Sequence, residues 1–211
     1  MQWTLVIPLK PLALAKSRLG ATTGDGLRPG LALAFAQDTV AAALACPAVR
    51  DVAVVTDDTL AGRELTALGA RIVPDLPGKG LNAALRHGTA AVRAERPDIA
   101  VAALNADLPA LRPQELARAL DGATPFARAF VPDAAGIGTT LLTAAAGEDP
   151  RPAFGPGSRA RHAASGAVEL SLDGVDSVRQ DVDTGEDLMA ALSLGVGART
   201  AAAAARLLIS D

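Results

Sequence analysis

Six charged side chains of this chain have the types and spacing to do chemistry. Lys10, Lys16 and Arg18 follow the apolar run from Trp3 to Leu9. A buried strand that runs into a cationic loop is where an α/β protein commonly meets phosphate. The chain has three lysines, Lys10, Lys16 and Lys79, and two of them fall in this one loop. An ordinary solvated loop gives the same pattern, so both readings stay open. Asp107 follows the apolar segment Ile99 to Leu104, within Asn105-Ala106-Asp107-Leu108-Pro109. That is the carboxyl edge where open α/β sheets place their ligands. A carboxylate there can bind a metal or a substrate, or cap a helix. Leu108 and Pro109 separate it from the next helix, which weakens the capping reading. Asp181 and Asp183 alternate in Asp181-Val182-Asp183-Thr184, and a strand would put both on one face. Paired carboxylates suit a hard divalent cation such as Mg2+, which takes oxygen ligands and keeps waters and substrate phosphates. Alternatively, Asp183 caps a helix opening at Thr184 and Asp181 is solvated.

Two further segments offer backbone N–H groups and hydroxyls to an anion. They are Gly138-Thr139-Thr140 and Phe154-Gly155-Pro156-Gly157-Ser158-Arg159. Ser158 precedes a helix candidate, so its hydroxyl and that helix end could meet a phosphate or carboxylate, or form a simple N-cap and turn. His87 and His162 lie on helix candidates, isolated from any Ser or Cys partner in a recognisable arrangement. There is no Walker A loop and no G-x-G-x-x-G after the first strand.

The elements that must hold these residues alternate. Helices are expected over Leu31–Ala45, Leu60–Leu68, Leu81–Glu95 and Pro113–Leu120, with strands over Asp51–Thr56, Arg71–Pro74 and Ile99–Leu104. This βαβα order predicts a doubly wound, mostly parallel sheet. The second half reads differently. Strands are expected over Ala129–Pro132, Gly138–Thr143, Val168–Leu172 and Ser177–Val182, with a short helix over Arg159–Ala164. Thr184 with Asp187 three residues on resembles a capping box, Gly195 ends that helix, and Ala198–Leu208 forms the last one. With no repeat and no low-complexity linker, residues 1–211 are expected to form one domain.

Composition narrows the function classes. Net charge is −3, which argues against a general nucleic-acid binder but leaves room for a local basic pocket. Aromatic residues make up only 2% while half the chain is hydrophobic, so an aliphatic, alanine-packed core is expected. The single cysteine, Cys46, allows no internal disulfide or Cys-rich zinc site and is expected to pack as a small hydrophobe on a helix. Without a leader-like segment or an apolar run of membrane length, the expected setting is soluble and cytoplasmic.

The motifs resemble the guanylyltransferases of deazaflavin coenzyme F-420 biosynthesis, which act on 2-phospho-L-lactate or phosphoenolpyruvate. The resemblance rests on Ile7-Pro8-Leu9-Lys10 with Ala15-Lys16-Ser17-Arg18-Leu19, and on Gly80-Leu81-Asn82-Ala83-Ala84 and Asp107-Leu108-Pro109. It continues through Gly138-Thr139, Phe154-Gly155-Pro156-Gly157-Ser158 and Asp181-Val182-Asp183-Thr184, nearly the whole chain. The opening lysine motif and the Phe-Gly-x-x-Ser segment are its narrower parts. Pro8-Leu9-Lys10 stands where the family usually has Val-Lys, a departure that keeps the lysine.

The resemblance implies a single-domain, GT-A-like (Rossmann-like) nucleotidyltransferase fold. It implies transfer of GMP from GTP to phosphoenolpyruvate or 2-phospho-L-lactate with release of pyrophosphate. The alanine- and arginine-rich composition suggests an actinobacterium, and with it phosphoenolpyruvate. The product would pass to the next enzyme of the pathway. Lys10, Lys16 and Arg18 are then the catalytic and triphosphate-binding cations, with Asn82 reading the base and Lys79 beside it a phosphate contact or a surface lysine. Thr139, Gly155 and Ser158 hold the acceptor, and Asp107, Asp181 and Asp183 hold magnesium. A related nucleotidyltransferase acting on a molybdopterin or sugar phosphate would usually carry a Gly-Gly-x-Ser-x-Arg-type opening loop. That position here holds Pro8-Leu9-Lys10-Pro11. A non-catalytic nucleotide-binding module is the remaining alternative, and the retained acidic residues and loop cations weigh against it.

Overall fold

The first strand, β1 (Trp3–Pro8), is buried along its whole length. It has a parallel neighbour on each side, β2 (Val49–Val55) and β4 (Ala100–Leu104), with Ile7 opposite Val54 and Val6 opposite Ala103. The computed structural model describes residues 1–14, 28–76 and 78–207. Among these the sheet has seven strands in the order β3-β2-β1-β4-β6-β5-β7. β3 (Arg71–Val73) continues it in parallel beyond β2. On the other side, β6 (Thr139–Ala144) is antiparallel to both β4 and β5 (Arg128–Pro132). β7 (Val168–Glu169), parallel to β5, forms that edge.

Period-two alternation assigns the sheet faces. Leu5 and Ile7 of β1 join a core with Val52, Val54, Leu104 and Leu116. Helices α1 (Arg28–Leu44), α2 (Thr59–Ala67) and α4 (Pro113–Ala123) contribute to that layer. Val6 points the other way, into a second core with Val55, Val101 and Leu142 beneath α3 (Leu81–Glu95). A strand buried on both faces must be apolar throughout, which is why β1 reads as one continuous hydrophobic run.

The order of the strands also locates the site. The chain runs from β1 to β2 and β3 on one side, then crosses to β4 on the other. The carboxyl ends of β1 and β4 therefore flank a topological switch point, the usual ligand crevice of such sheets. Because β6 is antiparallel to β4, it starts where β4 ends, and the Asn105 N–H donates to the Thr140 carbonyl at 3.0 Å. Residues 35 positions apart in the chain thus meet at one sheet edge.

Further α-helices among the described residues are α5 (Ser158–Ala164), α6 (Asp176–Arg179), α7 (Gly185–Leu194) and α8 (Ala198–Leu207). The capping box expected at Thr184 and Asp187 is present, and Gly195 ends α7. α8 is tied to α1 by the buried Asp38, which accepts the N–H groups of Arg199 (3.3 Å) and Thr200 (2.7 Å).

Three expectations are corrected. The strand expected over Ser177–Val182 is instead the helical turn α6 followed by an irregular segment. Val175 and Val178 both enter the core at a helical spacing of three. Buried Ser177 between them accepts the Arg112 N–H (3.0 Å) and donates its own N–H to Glu115 (2.8 Å), at the start of α4. The strand expected over Val168–Leu172 pairs only through Val168–Glu169, although the Leu170 N–H still donates to the Phe130 carbonyl (2.9 Å). Cys46 is buried as expected but lies just beyond the end of α1 rather than on it.

Candidate functional site

The segment after β1 is pinned on both sides of Lys10. The Leu9 N–H donates to the Val55 carbonyl (2.9 Å), and the Leu12 N–H donates to the Asp58 carboxylate (2.8 Å). Asp58 also caps α2 through the Ala61 N–H (3.0 Å). Lys10 itself is exposed between these anchors. Lys16 and Arg18, expected to share its loop, lie outside the described residues.

Asp107 sits on a turn held from beneath by Thr39 of α1. The Thr39 hydroxyl accepts the Leu108 N–H (3.0 Å) and donates to the Phe35 carbonyl of its own helix (2.8 Å). Leu108 on that turn is fully buried. The second acidic segment packs against the same turn, since the Val182 N–H donates to the Asp107 carbonyl (3.1 Å). Val182 is also fully buried, in a cluster with Leu31, Phe35 and Leu188. Its burial is what turns Asp181 and Asp183 toward the cleft without a strand. Asn105 reaches the same group, with Nδ2 3.5 Å from the Asp181 carboxylate. Asp187 accepts the N–H groups of Asp183 (3.1 Å) and Thr184 (2.8 Å), so α7 is capped by Thr184 and Asp187 and not by Asp183.

The opposite wall comes from the start of β6 and the loop before α5. Gly155 and Gly157 carry φ values of 114° and 69°, which L side chains rarely adopt, so glycine is needed at both corners. Gly157 is the N-cap of α5, which makes Ser158 the first helical residue, so of the two readings of Ser158 the N-cap one does not hold. The loop is braced from two directions. Arg161 donates through Nε and Nη2 to the Ala153 carbonyl (3.0 and 2.9 Å) and through Nη1 to that of Pro156. From α3, Asn82 donates to the Phe154 carbonyl (3.1 Å) and accepts the Phe154 N–H (2.8 Å). Ahead of β6, Asp133 accepts the N–H groups of Ile137 (2.8 Å) and Gly138 (2.7 Å), closing the turn that delivers Thr139.

These walls enclose a cleft of about 640 Å3 at the switch point. Lys10, Asp107, Asp181 and Asp183 line it on one side, and Thr139, Gly155 and Ser158 on the other. A second recess of about 300 Å3 shares Lys10 and Leu81 with it and extends to Asp57, Asp75 and Gly80. Asn82 lines neither space; its side chain serves the Phe154 loop. Lys79 is exposed beside that recess.

Asp107, Asp181 and Asp183 with the Asn105 amide oxygen, all lining the cleft, are oxygen donors of the kind a hard divalent cation takes. Among the described residues no three His, Cys, Asp or Glu side chains close into a metal cluster of their own. A cation here would complete its shell with water and ligand oxygens. Sequence reasoning missed His162, which is fully buried with Nδ1 2.9 Å from the Thr139 hydroxyl. One signal was available: Ser158 and His162 are four residues apart on one helix, so a Ser158 that faces a cleft brings His162 behind the same wall. Burial, with Arg161 and Arg128 nearby, pushes this imidazole down to about 4, so the ring is neutral at pH 7.

Comparison with known proteins agrees with the geometry. The family model described as guanylyl transferase CofC like matches residues 3–208. A phosphoenolpyruvate guanylyltransferase of Streptomyces coelicolor is 77% identical over 210 residues, covering 100% of this chain and 99% of that one. One from Thermomonospora curvata is 62% identical over 207 residues, covering 98% and 90%. Among solved structures, a nucleotidyl transferase from Methanothermobacter thermautotroptrophicus superposes with a TM-score of 0.64 at 22% identity, covering 90% of this chain and 95% of that one. A single α/β domain with the strand order described above, matched along its length by these relatives, belongs to the CofC-like guanylyl transferase family, whose members are nucleotidyltransferase enzymes.

Proposed function

We propose that this enzyme transfers the guanylyl group of GTP to phosphoenolpyruvate and releases pyrophosphate, as a cytoplasmic step of coenzyme F-420 biosynthesis. The observation that carries the reading is the 77% identity, over the full chain, to a relative named phosphoenolpyruvate guanylyltransferase. The cleft suits that chemistry. A phosphate monoester has a second pKa near 6, so the acceptor is already an oxyanion at neutral pH. It needs no general base, and the one histidine behind the cleft is neutral and hydrogen-bonded at both ring nitrogens.

The acceptor's phosphate oxygen attacks the α-phosphorus of GTP in line, the α–β bridging P–O bond breaks, and pyrophosphate leaves with that electron pair. The main barrier is repulsion between two anions. Lys10, with Lys16 and Arg18, would hold the triphosphate and stabilise charge on the leaving group. Thr139, Gly155 and Ser158 would hold the acceptor on the facing wall. Asp107, Asp181 and Asp183 would hold Mg2+, which when bound neutralises phosphate charge and orients the reacting groups. The adjoining recess past Leu81 leaves room for the nucleoside.

The test is pyrophosphate release with GTP and Mg2+, run separately with phosphoenolpyruvate and 2-phospho-L-lactate. Turnover with phosphoenolpyruvate preferred supports the proposal, and preference for phospholactate would reassign the acceptor. Silence with both, from folded protein, would overturn the reading.

A further inference from the structure

His162 is held more completely than a packing residue requires. The ring is fully buried between Phe130 and Phe154, with centroids 5.8 and 5.1 Å away, the second edge-on. The Ala153 backbone N–H points at Nε2 from 3.0 Å. A backbone N–H can only donate, so Nε2 must accept and carries no proton. In a neutral ring the proton then sits on Nδ1, 2.9 Å from the Thr139 hydroxyl. Nδ1–H must donate to that oxygen, so the hydroxyl receives a bond from behind and keeps its own proton for another partner. Thr139 lines the cleft.

We propose that His162 is a positioning residue for the acceptor: locked as the Nδ1–H tautomer by Ala153, it directs the Thr139 hydroxyl proton into the cleft as a donor to the anionic acceptor. The Thr139 contact rests on the acceptor reading given above; the tautomer does not. The chain of bonds also ties the loop before α5 to the start of β6. Ala153 belongs to that loop, His162 to α5 and Thr139 to β6. Arg161 and Asn82 fasten the same loop at Ala153 and Phe154.

Two measurements test this. Nitrogen-15 NMR of the histidine side chains in the intact protein reads the tautomer without any substrate. A pyrrole-type Nδ1 with a pyridine-type Nε2 is expected for His162; the reverse overturns the proposal. The second measurement is steady-state kinetics in a mutant cycle. His162→Gln keeps an acceptor near the Ala153 N–H but removes the donor to Thr139. It should raise KM for phosphoenolpyruvate roughly 10-fold and leave KM for GTP within about twofold. In a Thr139→Val background the same change should add almost nothing, because both act through one hydroxyl. Equal effects on both KM values, or full additivity, would reduce His162 to a structural role and overturn the proposal. Should Gln fail to fold, His162→Asn is the alternative: it offers an amide donor near Nδ1 and should keep the acceptor KM close to wild type. A raised acceptor KM in folded His162→Asn would overturn the proposal. If the wild type does not use phosphoenolpyruvate, the acceptor reading fails, and the proposal then fails with it even where the tautomer is as expected.

Discussion

The Val182 N–H donates to the Asp107 carbonyl at 3.1 Å, which makes the two acidic segments one unit. They are 74 residues or more apart in the chain, and neither is placed by the sheet alone. Thr39 fixes the Asp107 turn from below through the Leu108 N–H, and Val182 is buried beside Phe35 of the same helix. α1 is therefore the platform on which both sets of carboxylates rest.

Replacing the carboxylate tests the charge on that platform. Asp107→Asn is nearly isosteric and leaves the backbone bonds to Val182 and Leu108 in place. Turnover is expected to fall roughly 100-fold or more, the size of losing one electrostatic contact to a reacting group. Thermal unfolding and circular dichroism should be close to wild type. Retention of magnesium-dependent turnover by folded Asp107→Asn protein would remove Asp107 from the metal assignment.

Thr39 offers a test of the platform itself. Thr39→Val keeps the shape but leaves the buried Leu108 N–H without its acceptor, which costs on the order of 1–3 kcal/mol. Urea unfolding should register that loss, and kcat should fall as well because the Asp107 turn is no longer clamped. Thr39→Ser should recover most of both. A Val variant that loses stability but keeps full kcat would show that the turn holds its shape without the threonine.

Much of this arrangement could be read from the residues. The continuous apolar run of β1, the Pro113 start of α4 and the Thr184–Asp187 box each declare a local structure through one strong signal. The parts that could not be read depend on tertiary partners. Ser177–Val182 alternates like a strand, but Ser177 is claimed by Arg112 and Glu115, 62 or more residues away. Asp181 and Asp183 reach the cleft as expected, though through burial of Val182 rather than strand alternation. His162 reads as an isolated histidine because its partners, Thr139 and Ala153, arrive from another strand and a loop.

Asn82 separates a brace from a base reader. Asn82→Ala removes both bonds to Phe154 and should loosen the loop carrying Gly155. KM for phosphoenolpyruvate is expected to rise several-fold, with the preference for GTP over ATP unchanged, because Asn82 lines neither space of the site. Competition kinetics with the two nucleotides decides it. A collapse of the GTP preference would return Asn82 to the nucleotide.

Acid should act on the fold through His162. The folded imidazole lies at about 4, below the ordinary value of 6.5, because burial disfavours its charged form and Arg161 and Arg128 add to the penalty. As pH falls the unfolded chain therefore binds this proton first, and the folded state loses stability. The contribution is fully present above about pH 6.5 and is lost progressively down to about pH 4. Over the whole window it amounts to roughly 3 kcal/mol. Denaturant unfolding at pH 7, 5.5 and 4.5 should show that decline, and His162→Gln should flatten it. An equally steep decline in folded His162→Gln protein would assign the acid sensitivity to other groups.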